Sequence, residues 1–139
     1  MVVGARVSVV GVGIDLVELD RVRSMLARRR EQVLGRLLTD HEREYVESRD
    51  DPVPHLAARL AAKEAVYKAL QELPGARGVG WRDIEVWRDQ TGKPSVTLSG
   101  AAAAAAADAN GPLQIHLSLT HTHVSAAAVA VIERRGAPR

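Results

Sequence analysis

Three charged side chains could do chemistry together: Asp15 in GVGIDLVEL, and Glu64 and Lys68 in LAARLAAKEAVYKAL. Carboxylates are hard oxygen ligands, and Mg2+ is typically held by one or two of them, with waters and substrate phosphate oxygens completing six positions. Lys68, one turn beyond Glu64, would add a point charge against phosphate on the same side of a helix. Each residue also has a plainer use. Asp15 at a strand-to-helix junction can cap the helix. Glu64 and Lys68 form an i,i+4 pair in the favourable order, worth about 0.2–0.5 kcal/mol on a solvated face. The stretch HLSLTHTHVS brings His116, His121 and His123 close in sequence. Zinc is disfavoured there, because the chain has neither Cys nor an HExxH pattern. His121 could instead donate to a phosphate or satisfy a tight turn, and Lys93 in TGKP puts a cation on a loop tip.

Positioning these groups falls to a mixed set of elements. Residues 5–14, ARVSVVGVGI, read as a strand rich in β-branched residues, with Gly11 and Gly13 marking a bend or a close backbone approach. Asp15 is expected to end that strand. A helix then runs to about Arg30, with Val17, Val22, Met25 and Leu26 as its apolar stripe, and a short helix follows over residues 31–38. Thr39 and Glu42 make a capping-box pattern. After the breaker RDDPVP a long helix is expected from Val53 to Leu73, closed by Pro74-Gly75. Leu56, Leu60, Tyr67 and Leu70 share one face of it, with Lys63 inside that face and Glu64 at its edge. A helix apolar nearly all round is usually buried, and a buried charge then needs a partner. WRDIEVWRD and SVTL read as a hairpin around QTGKP. Ser99 caps an Ala-rich helix stopped by Asn110-Gly111-Pro112. Two strands, QIHLSLT and VSAAAVAVIE, finish the chain through the turn His121-Thr122-His123. Without a regular βαβ alternation the fold class is α+β, in one domain over residues 1–139.

Composition narrows the function. The chain has 139 residues, 46% hydrophobic and 26% charged, a globular balance. No apolar run approaches the length of a membrane span, and the N-terminus lacks the charged start of a secretory signal. With no Cys, disulfides and thiolate zinc sites are excluded, and a cytoplasmic location is expected. The formal net charge is only +2, but RVRSMLARRR at residues 21–30 carries five Arg and no acid, a patch for an acidic partner. A small nucleic-acid-binding module is the rival reading of that patch. It is disfavoured by the modest charge and by having two Trp, two Tyr and no Phe for base stacking. A core short of aromatics and rich in Ala points to further burial at a subunit interface.

GVGIDLVELDRV, LAARLAAKEAVYKAL, WRDIEVWRDQTGKPSVTLSG and HLSLTHTHVSAAAVAVIE, in this order over roughly residues 9–133, resemble the holo-acyl-carrier-protein synthases, the small bacterial 4′-phosphopantetheinyl transferases. The resemblance implies an α+β fold with antiparallel strands packed on a long central helix, assembled as a homotrimer with interfacial active sites. It implies Mg2+-dependent transfer of phosphopantetheine from coenzyme A to a serine of an acyl carrier protein, releasing adenosine 3′,5′-bisphosphate. Asp15 and Glu64 match the metal ligands, Glu64 and Lys68 the catalytic pair, and Lys68 also contacts the phosphates. Either Glu64 or a metal-bound water would take the serine proton. Arg59, Lys63, the Gly92-Lys93-Pro94 turn and His121 fall in motifs lining the coenzyme A pocket. Arg21 and Arg28 match the carrier-protein docking surface. Leu60, where the family often has an aromatic, and Val66-Tyr67, near which smaller residues are frequent, depart from the pattern and bear on pocket shape. The intact Asp15, Glu64 and Lys68 argue against an inactive structural homologue.

Overall fold

The computed structural model describes residues 6–107 and 111–136. Its elements are β1 (Val7–Glu18), α1 (Leu19–Leu37), α2 (Asp40–Glu47), α3 (Pro52–Leu70), β2 (Ile84–Arg88), β3 (Pro94–Leu98), α4 (Gly100–Ala107), β4 (Leu113–His121) and β5 (Ser125–Arg135). Short 3-10 turns at Ala76–Gly78 and Trp81–Asp83 join α3 to β2. β1, β5 and β4 form an antiparallel sheet in that order, and β2 and β3 form a separate hairpin. The α+β class and the antiparallel strands around a long helix are therefore as the sequence indicates.

α3 lies at the centre. Asp51 caps it by accepting from Val53 N at 3.1 Å, and Pro52 occupies the first turn, where its missing N–H costs nothing. On one side Ala61, Ala62, Ala65 and Ala69 pack with the sheet, whose facing positions on β5 are Ala126, Ala128 and Ala130. Small residues on both partners let helix and sheet approach closely. On the other side Leu56 and Leu60 join Val22, Leu26, Leu34 and Val46 from α1 and α2.

Two boundaries differ from expectation, and a third falls close to where the sequence puts it. β1 continues through Asp15 to Glu18, so Asp15 does not end the strand, and the residue preceding α1 as its cap is Glu18. Val17 accordingly belongs to the inner face of β1 rather than to the helical stripe. The two helices expected over residues 16–38 are present within α1 and meet at Arg29, which leaves helical geometry with φ −145° and ψ 51°. α3 stops at Leu70, and the chain turns through Leu73 N donating to Leu70 O. Asn110, expected to stop α4, and Ala5, expected to begin β1, lie outside the described residues.

The outward face of the sheet is apolar and open. Val12, Ile14 and Leu16 on β1 are each more than 60% exposed, and Val129 on β5 continues the patch. A contiguous surface of this kind marks an interaction site.

Candidate functional site

β1 delivers Asp15 to α3 through two glycines. Gly11 and Gly13 face the helix, and a Cβ on either would overlap the carbonyl oxygen of Ala69 or Ala65. Only glycine permits this approach. Two residues beyond Gly13 on the same face, the Asp15 side chain meets the next turns of the helix. Lys68 Nζ donates to Ile14 O at 2.9 Å and to Asp15 Oδ1 at 3.2 Å. Lys68 thus bridges to β1, instead of pairing with Glu64 one turn back.

Asp15 and Glu64 line one cavity of about 240 Å³, together with Arg21, Met25, Leu60 and Trp81. The Glu64 carboxyl is pushed above its ordinary pKa, first by burial and then by the Asp15 charge, with Lys68 opposing. Two acids that repel each other across a shared cavity fit a divalent cation, which would satisfy both at once. Among the described residues no group of three or more His, Cys, Asp and Glu could hold a metal. Mg2+ is commonly held by one or two carboxylates with substrate phosphates rather than by an all-protein cage, and Asp15 and Glu64 are donors of that chemistry. His116 is engaged elsewhere, its Nε2 lying 3.0 Å from Glu133 Oε2 on the outer sheet face.

A second centre is basic. Arg59 is 6% exposed and stacks its guanidinium 4.2 Å over the Tyr45 ring, while Arg49 lies 4.4 Å from the same ring. Arg59 Nη1 donates to His55 O at 3.3 Å, but its buried Nε has no hydrogen-bond partner. Burial pulls the Arg59 pKa down from its usual value. The His55 ring is also lowered, by burial first and then by Arg49, Arg59, Arg88 and His121. Arg59, Tyr45, Ser48, Trp87 and Arg88 line a cavity of about 520 Å³ together with His41, Glu44 and Glu42, the last neutralised by Lys63. Arg88 Nη1 donates to Gly92 O at 2.8 Å, tying the Gly92-Lys93-Pro94 turn to this centre. The turn is preset by Asp89 Oδ1, which accepts from Thr91 N at 2.8 Å and Lys93 N at 3.0 Å, and by Gly92 at φ 84°. Clustered cations with a buried, unpartnered N–H favour an anion.

The residues singled out from sequence thus fall into separate groups. Asp15, Glu64, Lys68 and Arg21 gather at the first centre. Arg59 and the Gly92 turn belong to the second, with His121 close enough to act on His55. Arg28 lies further along α1, beside Met25 and Val33. Arg23 and Arg30 pair with Asp51 and Glu47, whereas Arg21 and Arg28 have no ion pair among the described residues. Lys63 is a correction. It is fully buried, and its ammonium is bonded to Glu42 Oε1, Trp81 O and Ile84 O, so it has no proton to offer coenzyme A. Sequence reasoning missed Arg49, Tyr45, His55 and Arg88, which come from three elements and an adjoining turn and carry no shared motif. It read Glu42 only as a capping residue.

Asp15, Glu64 and Lys68 gather at one cavity, and Arg59 and Arg88 line a second one, both suited to a phosphate-bearing ligand. The profile of the 4′-phosphopantetheinyl transferase superfamily matches residues 11–130, and the chain belongs to this family. It is 47% identical over 92 residues to the holo-[acyl-carrier-protein] synthase of Gloeobacter violaceus, covering 66% of this chain and 68% of that one. It is 44% identical over 93 residues to the synthase of Syntrophotalea carbinolica, covering 66% and 71%. The solved holo-(acyl-carrier-protein) synthase of Bacillus anthracis in complex with CoA (3′,5′-ADP) superposes with a TM-score of 0.73 at 34% identity, covering 91% of this chain and 97% of the other. The acyl carrier protein synthase of Mycobacterium tuberculosis gives 0.69 at 41% identity, covering 91% and 99%.

Proposed function

We propose that this chain transfers 4′-phosphopantetheine from coenzyme A to a serine hydroxyl of apo acyl carrier protein, releasing adenosine 3′,5′-bisphosphate. The observation that carries the reading is the convergence of Asp15, Glu64 and Lys68 at one cavity, in a chain that belongs to this transferase family. Asp15 and Glu64 would hold Mg2+. When bound, the ion stabilises charge on the diphosphate oxygens and the leaving phosphate.

The chain's own groups do the rest. Lys68, held against Asp15 and the Ile14 carbonyl, adds positive charge beside the diphosphate. Arg59, with Arg88, His121 and the Gly92-Lys93-Pro94 turn, would receive the anionic nucleotide end of coenzyme A. The serine oxygen attacks phosphorus, the bond from phosphorus to the adenosine bisphosphate oxygen breaks, and the serine proton passes to Glu64 or to water. Arg21 lines the acid cavity and Arg28 lies further along the same helix, so an acidic carrier protein docking on α1 would deliver its serine to Glu64.

A homotrimer is part of this proposal. Ile14 and Leu16 flank Asp15 in the chain but point to the open face of β1, so a copy seated there would lie across the strand from the acids. Arg59 and Glu64 project from α3 about 140° apart around the helix. One extended coenzyme A reaching both a basic cavity and an acid pair is then more readily served across two subunits. A cytoplasmic location belongs to this proposal, as does the supply of holo carrier protein to fatty-acid or polyketide synthesis. No described helix is long and apolar enough to cross a membrane.

Incubation with coenzyme A, Mg2+ and a purified apo carrier protein, followed by intact-mass measurement, tests the reading. One added phosphopantetheine per carrier is expected. An unmodified carrier, with both proteins folded, overturns the proposal.

A further inference from the structure

Lys63 and Glu42 form a fully buried ion pair at 2.7 Å. The ammonium spends its other two protons on Trp81 O, at 2.8 Å, and Ile84 O. Glu42 also accepts from Thr39 N at 2.9 Å and from Val86 N at 2.8 Å. The two carbonyls held by Lys63 begin the Trp81–Asp83 turn and the strand that follows it. The ammonium therefore pins the turn at both ends against α3, one residue before Glu64.

Trp81 is the side chain this turn presents to the site. It lines the cavity containing Asp15, Glu64 and Arg21, and also a smaller apolar cavity of about 100 Å³ shared by Glu64, Tyr67 and Val79. It is a wall common to the two spaces flanking Glu64. Stability alone does not account for the buried pair, because well-packed apolar replacements of such pairs are often neutral or stabilising. What Lys63 adds is a fixed location for two backbone carbonyls that an apolar side chain could not hold.

We infer that the Lys63–Glu42 pair is a positioning device that fixes Trp81 beside Glu64, so that the wall of the reacting site keeps its place during transfer. The inference rests on the proposed placement of Glu64 at the reacting centre.

The test is the double variant Lys63→Met/Glu42→Gln, which removes the tether without leaving an unpaired buried charge. Its kcat, at saturating coenzyme A and carrier protein, is expected to fall by about 10–100-fold, the scale of an ångström-level misplacement. In a Trp87→Phe background Trp81 is the sole indole, and its emission is expected to move to longer wavelength as the wall loosens. Ile132→Ala, a truncation in the buried core of β5, controls for lost stability and is expected to keep its kcat at temperatures where it stays folded. An unchanged kcat or an unmoved Trp81 emission in the folded double variant overturns the inference, as does an equal kcat loss in Ile132→Ala. If the unmodified chain does not transfer phosphopantetheine, it is the functional reading that falls. The emission spectrum then decides by itself whether the pair positions Trp81.

Discussion

Gly13→Ala should cost activity far out of proportion to the one methyl group it adds. The new Cβ would overlap the Ala65 carbonyl oxygen and crowd the Ala65 backbone, which belongs to the middle of α3 and cannot rotate away as a side chain could. Relief requires strand and helix to separate by roughly 1 Å, with an overpacking cost of about 1–3 kcal/mol. Asp15 is two residues along the strand and Glu64 is adjacent to Ala65. The separation therefore opens the Asp15–Glu64 pair directly, and a misplacement of about 1 Å at a reacting centre can cost about 100-fold in rate. Urea unfolding followed by steady-state transfer kinetics, at a temperature where the variant is folded, reads both quantities. Gly35→Ala is the control: it lies in α1, where a Cβ would meet only Arg43 Nη1 at 3.9 Å, an ordinary van der Waals contact, and it should be neutral or stabilising. A folded Gly13→Ala enzyme with wild-type kcat and unchanged unfolding midpoint would refute the claim that this contact sets the distance between the acids.

Four further outcomes are expected. Glu64→Gln should abolish transfer, and it should be more stable than the parent at neutral pH without divalent cation. The folded Glu64 pKa is raised, so the native state binds more protons than the unfolded state between the ordinary carboxylate value and the raised one, and wild-type stability declines as pH rises through that window. The advantage of Gln should vanish below the window, and Mg2+ should raise the melting temperature of the parent but not of the variant. Arg59→Met should raise KM for coenzyme A about tenfold or more, the loss of one charge-assisted hydrogen bond, with KM for the carrier protein little changed; an unaltered KM for coenzyme A in titration kinetics contradicts the basic cavity's role. Arg21→Glu should chiefly raise KM for the carrier protein and make it more salt-sensitive; a rise confined to coenzyme A would remove the docking face from α1. Ile14→Asp should yield monomers by sedimentation and reduce transfer, and an intact oligomer would show that the open sheet face is not its interface.

The local features were legible in the sequence. The Thr39–Glu42 capping box, the α3 helix and the β2–β3 hairpin depend on neighbours in the chain, and the structure forms all three. Asp15 and Glu64 could be named from residue type and motif. The link between them could not be derived locally, because it depends on Gly13 meeting Ala65 across the fold. Lys68 was read with Glu64, four residues away, yet its partner is Asp15, 53 residues away. The partner of Lys63 was similarly hidden, since Glu42 lies on another helix and its capping role already explained it. The basic cavity assembles α2, α3, the turn between them and β2, and nothing in those segments alone foretells that Arg49 and Arg59 would approach one tyrosine ring.

The claim beneath the mechanism is that Asp15 and Glu64 share one cation. A crystal grown with Mn2+ and coenzyme A, measured at the manganese absorption edge, would locate the ion by its anomalous signal. The expected result is a single peak within bonding distance of one oxygen from each carboxylate and of a coenzyme A phosphate oxygen. A peak on only one acid, or on the histidines of the β4–β5 turn with none between the acids, would contradict it.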